Sequence, residues 1–199
     1  MSEQFLSLLV FAGAMTFSPG SNNALMATSG VQVGLRRSVP LGLGVVAGIV
    51  VLLAVAAIGL GSLVEAVPSL RVAMKAIGTV YLAWLGWKIA HAGAPDDRSA
   101  RNLTRRGFGA GFVNTLLNPK GWTMALSAVA GYAALAPSAP HLALLLSLVF
   151  AMMAVPSWLL WCGGGQAIAR ALRTERHWRF ANAVLGLLVI LSVVPIWLE

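Results

Sequence analysis

Six stretches of this chain, 4–28, 39–64, 69–91, 107–136, 141–169 and 178–198, run apolar for about the length of a bilayer crossing. A helix needs roughly 20 apolar residues to traverse hydrocarbon. Together the six take up most of the 199 residues and leave no room for a separate water-soluble domain. Composition agrees, with 58% hydrophobic and 10% charged residues, where soluble domains have about 45–50% and about 25%. Lipid cannot satisfy backbone polar groups, whereas an intact helix satisfies its own. The chain is therefore expected to be an all-α integral membrane protein with six transmembrane helices.

Several function classes fall away. The formal charge of +8 comes from basic residues in the connections, not from a patch that would grip nucleic acid. Cys162 is the one cysteine, which excludes an internal disulfide and Cys-pair redox chemistry. His91, His141 and His177 lie at span ends and do not cluster, so neither a metal nor another cofactor is expected. No nucleophile–base pair sits at mid-span, so the chain does not read as an enzyme. The opening M-S-E-Q lacks the positive start of a signal peptide, and the first apolar run continues as a full span.

The basic residues orient the chain, because cytoplasmic connections hold the excess of Lys and Arg. The first connection has Arg36 and Arg37. The third has Lys88, Arg98, Arg101, Arg105 and Arg106, and the fifth has Arg170, Arg173, Arg176 and Arg179. These eleven outweigh Arg71 and Lys75 in the even-numbered connections. Odd connections are then cytoplasmic and both termini lie outside. The polar connection 92–106 divides a single transmembrane domain, 1–199, into repeat one, about 1–91, and repeat two, about 107–199. An odd number of spans per half inverts the second half relative to the first, a recurring transporter plan with its site at the repeat interface.

That plan predicts interrupted helices at corresponding positions, and two are present. The segment T-F-S-P-G-S-N-N-A-L, 16–25, interrupts the first span and L-N-P-K, 117–120, the fourth. At about 1.5 Å per residue, Pro19 and Pro119 sit roughly 18–23 Å into their helices, near the bilayer centre. Each removes one N–H and frees the carbonyl four residues back, Met15 and Thr115. Each break also presents a new helix N-terminus, a partial positive end suited to a carboxylate. Ser18, Gly20, Ser21, Asn22 and Asn23 flank the first break, and Asn114, Asn118 and Lys120 the second. Asn both donates and accepts, so it can hold either end of a zwitterion. Lys120 is the one deep charge, and an intramembrane charge is a functional candidate by default. With no Asp or Glu inside a span, its partner is a substrate carboxylate, or a backbone carbonyl when the site is empty. Trp158 and Gln166 in the fifth span are candidates for lining the cavity.

Plainer readings stand beside these. Prolines kink helices for packing alone, and a lysine can snorkel to the interface. G-L-G-V-V-A-G, 42–48, and G-F-G-A-G, 107–111, have the spacing of helix-packing surfaces, and such faces would also allow a homodimer. A membrane assembly subunit that transports nothing would not need matched polar breaks.

The segments F-S-P-G-S-N-N, S-G-V-Q-V-G-L-R-R, A-I-G-T-V-Y-L-A-W-L-G-W-K and G-F-V-N-T-L-L-N-P-K, in this order, resemble the LysE/RhtB family of amino-acid exporters. The likeness covers nearly the whole chain. It implies a bacterial inner-membrane protein of about six spans that exports amino acids or their derivatives, driven by the proton gradient. Carried over, the motif positions are Pro19, Gly20, Asn22, Asn23, Asn114, Asn118, Pro119 and Lys120. Two features depart from many relatives: the usual P-G-P-N is Pro19-Gly20-Ser21-Asn22, and the acidic residue that follows a second-span glycine is replaced by Ile49 after Gly48. The missing acid argues against lysine or arginine as substrate. It makes the chain closest in character to the cysteine/O-acetylserine exporter branch, with homoserine/threonine or basic substrates as alternatives.

Overall fold

The structure, a computed structural model, describes residues 2–60, 66–92, 94, 97–194 and 197, and every regular element among them is helical. The expected ends of the second span at 64 and the sixth at 198, and part of the 92–106 connection, lie outside the described residues. The helices are α1 (Ser2–Phe17), α2 (Ser21–Val33), α3 (Leu35–Val55), α4 (Pro68–Ala90), α5 (Asp97–Leu116), α6 (Pro119–Tyr132), α7 (Ala139–Ala171) and α8 (Glu175–Leu191). A π turn, Ala56–Leu60, extends α3, and a 3₁₀ turn, Ala133–Leu135, follows α6.

Both interruptions break their helices. Helix ends at Phe17 and resumes at Ser21, with Gly20 fully extended at its N-cap. It ends again at Leu116 and resumes at Pro119, where a missing N–H costs nothing because the first helical N–H has no partner anyway. Pro40 and Pro156, by contrast, lie inside continuous helices. Helix α5 starts at Asp97, within the polar 92–106 connection; 97–106 contains no Pro or Gly, and its four Arg, with Ala100 and Leu103, favour helix. One residue, Gly34, turns α2 into α3 with φ 77° and ψ 170°, a left-handed φ that suits glycine.

Taken singly, Leu35–Gly59 and Ala139–Ala171 are long and apolar enough to cross a bilayer. The breaks cut the first and fourth expected spans into shorter pieces, α8 is 17 residues long, and α4 contains Lys75 and Lys88. The exterior is nevertheless apolar across the bundle. Val10 on α1, Leu43 on α3, Val80 and Trp84 on α4, Leu148 and Met152 on α7 and Phe180 on α8 are exposed, whereas Asn114, Thr115, Asn118 and Ser157 are buried. Soluble proteins seldom expose apolar surface on this scale.

Glycines set the closest helix crossings. A Cβ on Gly30 of α2 would lie 2.8 Å from the backbone carbonyl carbon of Cys162 on α7, and one on Gly165 would lie 2.9 Å from that of Ala27. At the crossing of α3 and α5, a Cβ on Gly44 would meet Phe108 backbone at 2.8 Å and one on Gly111 would meet the nitrogen of Val45 at 3.0 Å. Gly86 on α4 and Gly186 on α8 face each other in the same way. Gly42, Gly44, Gly48, Gly107 and Gly111 are thus packing surfaces within one chain, whereas Gly109 meets nothing within 4 Å. Since backbone cannot yield to a side chain, Gly44→Val or Gly111→Val should cost about 1–3 kcal/mol or more. Gly131→Ala, with nothing within 4 Å, should not. Thermal unfolding of the detergent-solubilised variants, followed by loss of the monodisperse peak, measures the difference.

Candidate functional site

Ending α1 at Phe17 leaves its last carbonyls without helical partners, and side chains take them up in turn. The Met15 carbonyl accepts from Ser18 Oγ at 3.0 Å. That of Thr16 accepts from Asn23 Nδ2 at 2.7 Å and Ser157 Oγ at 2.8 Å. Phe17 O accepts from Trp161 Nε1 at 3.3 Å. Ser18 O accepts from Asn23 Nδ2 at 2.8 Å and Lys120 Nζ at 3.4 Å. Pro19 O accepts from Lys120 Nζ at 3.0 Å. The same ammonium donates to Ser18 Oγ at 2.7 Å. Lys120 therefore lies at the negative end of the α1 dipole, where a cation is stabilised.

The second break is closed more locally. Asn118 Oδ1 accepts from the Lys120 backbone N–H at 3.2 Å and caps α6. The Thr115 carbonyl, freed by Pro119, accepts from Asn118 N–H at 3.2 Å. Trp122 Nε1 donates to Leu116 O at 2.9 Å. A bridge joins the two breaks, in which Asn22 Oδ1 accepts from Asn114 Nδ2 at 2.5 Å and Thr115 Oγ1 at 3.2 Å. Gly20 permits the close approach of α6, since a Cβ there would lie 3.2 Å from Lys120 Nζ.

Between the breaks is a cavity of about 50 Å³. Its polar lining is Thr16, Ser18, Asn22, Asn23, Thr115, Asn118, Lys120 and Ser157. The apolar lining is Met15, Val45, Ile49, Met124, Ala154 and Trp158, with Gly20 and Gly121 between. Among the described residues, no acidic side chain lines it and no group of metal-ligating side chains forms.

Of the residues singled out in the sequence, Ser18, Gly20, Asn22, Asn23, Asn118, Lys120 and Trp158 line this cavity. Pro19 and Asn114 lie outside the lining but bond to residues in it, and Pro119 starts the helix that presents Lys120. Gln166 lies elsewhere: its Oε1 accepts from Leu35 N–H at 2.9 Å and ties down the α2–α3 turn. Its place at the end of W-C-G-G-G-Q, 161–166, gave no clue to that distant partner. Thr16, Thr115 and Ser157 are further lining residues. Each is a polar residue inside an apolar span next to a proline-containing stretch, the signal that marks them.

The family model for LysE type translocators matches residues 13–194. The cysteine/O-acetylserine efflux protein of Salmonella choleraesuis (strain SC-B67) is 26% identical over 90% of both chains. That of Escherichia coli O139:H28 is 28% identical over 92% of this chain and 91% of the relative. The leucine efflux protein of Enterobacter sp. (strain 638) is 26% identical over 94% of this chain and 91% of its own length. No solved structure matches significantly. With nearly its whole length matched, an apolar exterior and a polar, broken-helix interior, the chain belongs to the LysE-type translocator family and is a membrane protein.

Proposed function

We propose that the protein exports a small neutral amino acid or derivative, of the cysteine/O-acetylserine kind, from the cytoplasm across the bacterial inner membrane by alternating access. The observation behind this reading is Lys120, whose ammonium rests on carbonyl and hydroxyl oxygens in a cavity with no acidic residue among its described lining. A zwitterion can exchange with that arrangement. Its carboxylate takes the Lys120 ammonium and the N-terminus of α2 or α6, and its own ammonium takes the Ser18 and Pro19 carbonyls that Lys120 releases. The net charge of the site is unchanged. A lysine or arginine substrate would add a second cation, at a cost of about 3 kcal/mol for unit charges about 5 Å apart in an effective dielectric of about 20. Ile49 on the wall offers no compensating carboxylate. The apolar lining and the leucine efflux relatives favour an aliphatic amino acid as the second reading.

Six spans in two inverted repeats of one domain, 1–199, with both termini outside, give this exchange a cycle. Under inversion, the crossings of α2 with α7 and α3 with α5 change places with those of α6 with α3 and α1 with α7. The first pair lies on the side that the charge rule assigns to the cytoplasm, and glycines bring backbones together there. On the opposite side, Gly13 and Gly131 meet nothing within 4 Å. There α1 and α6 touch through side chains, Ser7 Oγ with Tyr132 Oη at 3.1 Å and Phe11 against Tyr132. A thick cytoplasmic gate and a thin outer gate describe a carrier closed to the cytoplasm, and exchanging the two packings opens it. Helices of different halves interlock at each glycine crossing, so the moving units are cross-half pairs and not the two sequence halves. Lys120 is the titratable residue that lines the cavity, and it is the candidate carrier if export is coupled to protons.

Substrate counterflow in proteoliposomes, with labelled neutral and cationic amino acids, tests the reading. Saturable exchange of small neutral ones is expected. Lys120→Ala and Lys120→Gln should both abolish it while the protein still inserts, and normal exchange by either variant overturns the carboxylate site. Ile49→Asp should raise exchange of lysine relative to neutral substrates by about tenfold, equivalent to about 1.4 kcal/mol. An unchanged ratio would mean Ile49 does not face the substrate.

A further inference from the structure

Trp158 stands apart from the other apolar residues of the cavity. Its side chain is more than nine-tenths buried, and its Nε1–H has no hydrogen-bond partner among the described residues. Trp161 and Trp122, close to the same breaks, both spend their N–H on backbone carbonyls. A buried unpaired donor costs about 1–3 kcal/mol, so an indole in this position is expected to find an acceptor in some working state.

The ring is also held. It lies on Gly42 of α3, where a Cβ would come within 2.8 Å of two indole carbons. Any other residue at 42 would push the ring from its seat. On the polar lining, the hydroxyls of Thr16, Ser18, Thr115 and Ser157 and the amide of Asn23 donate to oxygens of the chain, whereas Asn22 and Asn118 engage Oδ1 as an acceptor and keep Nδ2 for other partners. Among the apolar lining residues Met15, Val45, Ile49, Met124 and Ala154, none can donate a hydrogen bond from its side chain. Among the described lining residues, Trp158 Nε1 is the side-chain donor that is both buried and unpaired, and it belongs to the apolar wall.

We propose that Trp158 is a specificity-determining residue whose indole N–H binds an acceptor atom on the substrate side chain. The assignment rests on the neutral amino-acid reading and divides its two versions. Side chains that bear an oxygen acceptor are favoured over aliphatic ones of the same size. A site built around a donor rejects the analogue that leaves the donor unpaired.

The test uses isosteric pairs, threonine against valine and homoserine against norvaline, in counterflow on the reconstituted full-length protein. The wild type should exchange the hydroxyl-bearing member of each pair roughly three- to tenfold better, the size of one neutral hydrogen bond. Trp158→Phe keeps a ring over Gly42 but removes the donor, and should bring both ratios close to one. Ratios are read on the same vesicles, so a smaller amount of folded variant cancels. A wild type that shows no preference within either pair overturns the assignment without any variant. Intact exchange by Trp158→Phe with unchanged ratios overturns it while the transporter reading stands. Absence of exchange of all four amino acids and of alanine by the wild type overturns both.

Discussion

A helix that stops in the middle of a bilayer leaves carbonyls that nothing in lipid can satisfy, and the interior of this protein is arranged around that constraint. The carbonyls of residues 15 to 19 are taken up by Ser18, Asn23, Ser157, Trp161 and Lys120. These donors come from the loop after α1 and from α2, α6 and α7. Capping the break therefore pulls distant helices to one point, and the cavity is the space they enclose. Unsatisfied backbone groups in hydrocarbon cost several kcal/mol each, so each donor lost without a ligand in its place weakens the arrangement.

Lys120 is the replaceable donor. Asn23 and Ser157 are buried and bonded to backbone on short side chains, whereas Lys120 reaches its three oxygens through a flexible stem. In the proposed exchange, a substrate ammonium stands in for it with no change in charge. The structural role of the lysine and its proposed role in binding are then the same hydrogen bonds, made by one cation or another.

The glycine crossings supply the complementary rigidity. Without a hydrophobic drive between helices in lipid, association depends on close packing. Backbone-to-backbone contact at Gly30, Gly165, Gly44 and Gly111 supplies it on one side of the cavity. The opposite side is held by Tyr132, Phe11 and Ser7 side chains, which can change rotamer without moving a helix. The difference between the two sides suits a carrier that opens one face at a time.

Much of this was legible in the residues. Apolar length pointed to membrane helices, Pro19 and Pro119 to the breaks, and the polar residues around them to most of the cavity wall. These are local matters: a proline cannot donate, and an asparagine inside an apolar run needs a partner. Tertiary packing alone decided which partner each group found. The Met15 carbonyl was taken by its neighbour Ser18, while Lys120 crossed to the other break. Gln166 was drawn off to the α2–α3 turn, and Trp158 was left with an unspent donor over Gly42. Residues more than a hundred positions apart meet only after the helices have crossed, and the backbone distance at each crossing is set by both surfaces together. The need for partners could be read from one strand of text, but their identity could not, because it belongs to pairs of helices and not to either one.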